Sequence, residues 1–82
     1  MKYVVFKQFD FYWPVVFPDH ITHSDVKIPG MTPASAGFVD SRSIRVYGKS
    51  ESLNLEPAPG DEARLICLFT GKEALLPMLN SL

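Results

Sequence analysis

In the first part of the chain, apolar residues come in two dense clusters rather than at helical spacing. Tyr3 to Phe6 and Phe11 to Phe17 are mostly aromatic or β-branched, the composition of strands, and Asp10 between them is a turn residue. The pattern predicts a first hairpin. Pro14, inside the second cluster, has no N–H to give a central ladder, so that strand is expected at a sheet edge or a bulge. As an edge it is a candidate for pairing with another chain. Asp19 to Met31, bounded by Pro18 and the Pro29-Gly30 turn signal, reads as a loop with one helical turn. There Thr22 is expected to cap a backbone N–H, Asp25 to sit on the positive end, and Val26 and Ile28 to anchor the loop.

Ala34 to Val39 and Ile44 to Lys49 predict two further strands joined through the polar connector Asp40-Ser41-Arg42-Ser43. Alternation assigns Ile44, Val46 and Gly48 to the core face and Arg45, Tyr47 and Lys49 to solvent or a partner. Ser50 to Leu55 either prolongs that strand past a bend or turns over, with Leu53 and Leu55 plugging the end of the core. After the breaker run Pro57-Ala58-Pro59-Gly60 a helix is expected from about Pro59 to Thr70. Asp61 and Glu62 suit its first turn, and Gly71 ends it. Leu65, Ile66, Leu68 and Phe69 share one side, which is expected to cover the sheet, whereas Cys67 points away. The apolar tail Leu75 to Leu79 either closes the core or contacts another subunit. The expected fold class is α+β: a small antiparallel sheet of about four strands in two hairpins, packed by one C-terminal helix, in the order ββ-loop-ββα.

Length and composition narrow the picture. Eighty-two residues hold one core, hence a single domain over 1–82, and 46% apolar residues with 12% aromatic suffice to fold it. A core this small gains from association, so a homo-oligomer is expected. The formal net charge of −1, without a like-charge block, argues against nucleic acid coating. The lone Cys67 forms no intrachain disulfide, which fits a reducing, cytoplasmic setting. The N-terminal apolar run is too short for an export signal, and nowhere do about 18 apolar residues stand together, so no membrane partner is expected.

Candidate chemistry is sparse. His20, His23 and Asp25 stand close together in the loop, but no second His or Cys cluster completes a metal site, and neither metal nor cofactor is expected. Ser35, Ser50, Ser52 and Cys67 are nucleophile types without a local signature that presents them. Gly48-Lys49-Ser50 matches the tail of a phosphate loop, but Ser43 occupies the position of its first glycine. Gly37-Phe38-Val39 matches part of an RNA-recognition strand, without the helix such a domain places between strands; Phe38 is read as a core residue. The Arg45, Tyr47, Lys49 row combines two cations and an aromatic hydroxyl on one strand face. Such a row suits an acidic protein surface or a phosphate-bearing ligand, with a solvated strand face as the plain alternative.

The segments Phe17-Pro18-Asp19-His20-Ile21-Thr22-His23-Ser24-Asp25-Val26, Ala34-Ser35-Ala36-Gly37-Phe38-Val39, Tyr47-Gly48-Lys49-Ser50-Glu51-Ser52-Leu53 and Gly60-Asp61-Glu62-Ala63-Arg64-Leu65-Ile66 together resemble short uncharacterised proteins of tailed bacteriophages and prophages. The resemblance covers most of the chain and carries no functional residues with it. It implies a phage-type accessory protein in the host bacterial cytoplasm that acts by binding rather than catalysis, with inhibition of a host defence protein or complex as the leading expectation. The alternative is a homo-oligomer that sequesters a phosphate-bearing small molecule such as a nucleotide signal. Read from the residues themselves, the Pro14 edge strand and the Arg45, Tyr47, Lys49 face carry the first of these, and basic side chains with the loop of His20 and His23 would enclose the ligand in the second. Single-stranded nucleic acid binding and a His-dependent enzyme are further alternatives.

Overall fold

The apolar run Tyr3-Val4-Val5-Phe6 is buried at every position, which is the signature of a strand covered on both faces. In the computed structural model, which describes residues 1–71, this run is the middle of β1 (Lys2–Gln8). It is followed by β2 (Phe11–Phe17), a 3-10 turn at His23–Asp25, β3 (Thr32–Asp40), β4 (Arg45–Tyr47) and α1 (Asp61–Thr70). The strands form an open antiparallel sheet in the order β2-β1-β3-β4, so the architecture is α+β in the expected ββ-ββ-α order. The tail from Leu75 to Leu79 lies outside the described residues. Among the described residues no helix is long and apolar enough to cross a membrane.

Alternation along β1 divides the core in two. Tyr3 and Val5 face α1, where they pack with Val39 and Leu65 and with Val16, Ile44 and Val46 around them. Val4 and Phe6 face the other way, onto Phe17 and Ala36, under a lid of loop residues: Ile21, Val26, Ile28 and Met31 from the second loop, and Leu53 and Leu55 from the fourth. The Ser50 to Leu55 segment therefore turns over, closed by hydrogen bonds in both directions between Ser50 and Leu55 (2.8 and 3.1 Å).

Both sheet edges are blunted. β2 is an edge, as Pro14 predicts. The two-residue link makes Gln8 and Phe11 a hydrogen-bonded pair, so Pro14, paired with Val5, falls in a non-hydrogen-bonded position and its nitrogen faces outward. Pro14 thus costs the β1–β2 ladder nothing and removes a donor from the free edge, which disfavours strand addition through the middle of β2. At the opposite edge Val46 N–H is taken by the Glu62 carboxylate of α1 at 2.9 Å.

α1 is held to the sheet by a buried carboxylate. Asp61 is 1% exposed, and three donors converge on it: Tyr3 Oη (2.7 Å), Ser35 Oγ (2.9 Å) and Ala58 N–H (2.8 Å). Arg64 Nη1 stands 4.0 Å from the same carboxylate. This anchor sets the rotation of the helix, so Leu65, one turn on, is the buried apolar residue of α1. Ile66, Leu68 and Phe69, expected on the sheet side, are exposed instead, and Cys67, expected to point away, is half-buried.

Burial, together with the hydrogen bond to and charge of Asp61 and the charge of Glu62, pushes the Tyr3 phenol far above its ordinary value. Above about pH 10 the unfolded chain releases this proton while the folded chain keeps it, so stability is complete below that pH and falls above it by about 1.4 kcal/mol per pH unit. Urea unfolding measured from neutral to strongly alkaline pH is expected to show this slope, and Tyr3→Phe to remove it. An unchanged slope in the variant would refute the assignment.

Among the described residues, three other than glycine adopt positive φ: Phe9 (55°), Ile44 (52°) and Asn54 (55°). Asparagine tolerates this region, but for bulky or β-branched residues it costs about 1–3 kcal/mol. Ile44 offsets that cost by packing on the helix-side core. Phe9, at the hairpin tip, is 87% exposed and gains no such burial.

Candidate functional site

Pairing between strands aligns Lys2 of β1 with Phe38 of β3 and Phe38 with Tyr47 of β4, a row across three strands on the loop-covered face. The Phe38 and Tyr47 rings stack at 5.6 Å with 21° between planes. Lys2 Nζ lies 5.9 Å from the Phe38 centroid and donates to Ile21 C=O at 2.9 Å. Behind Phe38 sits His23, edge-on at 5.6 Å, and behind His23 lies Phe17, edge-on at 5.5 Å. A ladder of four rings therefore runs from the core to the surface and ends in Tyr47, 55% exposed.

His23 props this ladder and is not free to bind a ligand. It is buried, and its Nε2 lies 2.8 Å from Gly37 C=O, which only accepts, so Nε2 carries the proton. Thr22 makes no side-chain cap; the turn closes through Asp25 N–H to Thr22 C=O (2.9 Å). The N–H of Ser24 goes to Ser52 Oγ at 3.3 Å, so the donor that a cap would have taken is used to tie two loops together. His20 is exposed in the preceding turn, and no metal-holding group of His, Cys, Asp and Glu occurs among the described residues.

Arg45 and Tyr47 share the predicted face, exposed, opposite Asp40 and Phe38. Lys49 does not extend their row. β4 ends at Tyr47, and Gly48 turns the chain at φ 69°, a position where a Cβ would stand 2.9 Å from Phe38 Cδ1. The stacked Phe38 ring thus demands glycine there, and the same turn breaks the alternation that assigned Gly48 to the core. Phe38 itself is half-buried rather than a core residue.

No protein-family model matches the chain, and no curated protein or solved structure matches it.

The serines among the nucleophile types are engaged, and Cys67 is a free, half-buried thiol. The Ser35 hydroxyl is buried on Asp61; Ser50 Oγ accepts Leu53 N–H at 3.2 Å and lies 3.4 Å from Ser52 Oγ. At the far end of the same sheet face, the Phe11 and Trp13 rings lie 5.7 Å apart at 34°, 54% and 50% exposed. On the helix side of that hairpin, Tyr12 carries Arg64 over its ring at 4.2 Å and Lys7 at 5.5 Å. Lys2 and this aromatic hairpin were not legible as surface features, because a run of strand-forming aromatics reads as core until its cover is known.

Proposed function

We propose that the protein acts by binding, and that the Lys2–Phe38–Tyr47 row with Arg45 engages an acidic surface on a partner protein. The observation that carries this reading is the Tyr47 ring, more than half exposed yet fixed by stacking on Phe38, with Arg45 two residues away on the same face. A rigid aromatic loses little entropy on binding, and Tyr and Arg are the residue types that dominate contact energies. Among the described residues Arg45 and Lys49 make no ion pair, so their charges are available to a partner. The resemblance to phage proteins points to a bacterial host protein, a defence complex foremost, met in the host cytoplasm.

The test is capture from bacterial lysate by the immobilised wild-type chain and by Arg45→Glu and Tyr47→Ala. Each variant is expected to fold like the wild type and to weaken capture of a defined partner at least about tenfold. Identical capture by all three would reject the reading. The free outer face of Tyr47 beside Arg45 also supports a second reading, a phosphate-bearing aromatic ligand. Native mass spectrometry of the chain from its expression host would then show retained ligand mass that Tyr47→Ala abolishes.

A further inference from the structure

One end of the helix-covered sheet face carries a row of polar side chains across three strands. Lys7 of β1 is paired with Tyr12 of β2 on one side and with Thr32 of β3 on the other, and all three are exposed. The place of Thr32 depends on a bulge. Val5 pairs with Ser35, so an unbroken register would set Pro33 opposite Lys7; the register shift between Val5 and Phe6 puts a hydroxyl there instead. Arg64 of α1 lies over the same row, its guanidinium 4.2 Å from the Tyr12 ring centre, with Lys7 Nζ 5.5 Å from that ring. Gly60, where a Cβ would stand 2.7 Å from Arg64 Nη1, leaves the room in which the guanidinium lies.

Two cations thus share one ring, within a Debye length of each other, about 10 Å. The acid beside Arg64 is Asp61, 4.0 Å from Nη1 and too far for a hydrogen bond, and its oxygens are already taken by Tyr3, Ser35 and Ala58. Among the described residues the Arg64 side chain donates no hydrogen bond, and Lys7 makes neither a hydrogen bond nor an ion pair. A guanidinium held in place with its planar fork free is ready for an oxyanion, because its side-chain entropy is lost on folding and not on binding. We propose that Arg64 and Lys7, with the Thr32 and Tyr12 hydroxyls on either side of Lys7, form a site for a phosphate group. A phosphate monoester carries about −1.5 to −2 charge at pH 7 and three acceptor oxygens, which matches two cations flanked by hydroxyls better than the single charge of a carboxylate does. Lys7 and Thr32 also line a shallow groove of about 500 Å³ with Gln8, Phe9 and Gly30, which gives room for the rest of a phosphate ester. A nucleic acid backbone asks for many such contacts in a row, and the net charge of −1 does not supply them. The site lies on the opposite sheet face from Tyr47, and neither assignment depends on the other.

Titration of the isotope-labelled full chain with inorganic phosphate, followed by NMR, is expected to shift the Nε–H signal of Arg64 and the backbone amides of Lys7, Tyr12 and Thr32 saturably. Sodium chloride at matched ionic strength is expected to leave them in place, and Arg42 and Arg45, the other two arginines, serve as internal controls. Arg64→Lys keeps the charge and loses the fork, and is expected to weaken binding at least about tenfold. Lys7→Gln removes one charge and is expected to weaken binding about fivefold and to flatten its dependence on salt. Phenyl phosphate in place of the inorganic ion separates two sources of the group: tighter binding with added shifts at Gln8 and Gly30 identifies an ester that uses the groove, and equal binding identifies the free ion. The proposal is overturned if phosphate shifts no signal saturably, or if both variants bind as the wild type does. Saturable shifts confined to Arg45 and Tyr47 overturn it as well and move the phosphate to the other sheet face.

Discussion

Asp61→Ala is expected to destabilise the fold by about 3 kcal/mol, because it leaves the buried Tyr3 and Ser35 hydroxyls and the Ala58 N–H without their acceptor. Each stranded donor costs about 1–3 kcal/mol, offset in part because a buried charge disappears. Against the roughly 5–15 kcal/mol that holds a small domain together, this is a large fraction. Asp61→Asn is expected to cost less, about 1–2 kcal/mol. Its carbonyl still accepts from Tyr3 and Ala58, and its NH₂ donates to Ser35 Oγ, which switches from donor to acceptor. Urea unfolding of the three proteins gives the ranking directly. If alanine cost no more than asparagine, the carboxylate would not be the anchor of α1.

The second large effect separates residues of one helix that look alike in sequence. Leu65 is fully buried on Tyr3, Val5 and Val39, whereas Leu68 is 40% exposed. Leu65→Ala is expected to cost about 3–4 kcal/mol, from lost burial plus the cavity left behind, and Leu68→Ala less than about 1.5 kcal/mol. Thermal unfolding of the two variants side by side tests this. Equal losses would mean that the helix presents the broader face its periodicity implies.

That contrast shows where the sequence reading reached its limit. Leu65, Ile66, Leu68 and Phe69 span a wide arc, and hydrophobicity alone does not say which part of the arc faces inward. The rotation is set by Asp61, a carboxylate in the first turn where solvent-facing acids are common, and nothing local marks it as the residue turned toward the core. Likewise Arg45 and Tyr47 were legible as a strand face because alternation is a local rule, whereas Lys49 left that face when Gly48 turned the chain away from Phe38. His23 has the chemistry of a ligand in sequence. In the fold its Nε2–H is spent on Gly37 C=O and its ring on Phe17 and Phe38.

The sequence by itself determined the element order, both hairpins, the edge position marked by Pro14 and the helix between Gly60 and Gly71. These follow from backbone preferences and from alternation over a few residues, which act locally whatever the rest of the chain does. Only the tertiary structure decided which aromatics are core and which are surface. Phe6 and Phe17 lie beneath the loop lid, while Phe9, Phe11 and Trp13, in the same apolar stretch, lie beyond it. Exposure depends on what long-range contacts place over a strand, and no pattern within the strand encodes where that cover ends.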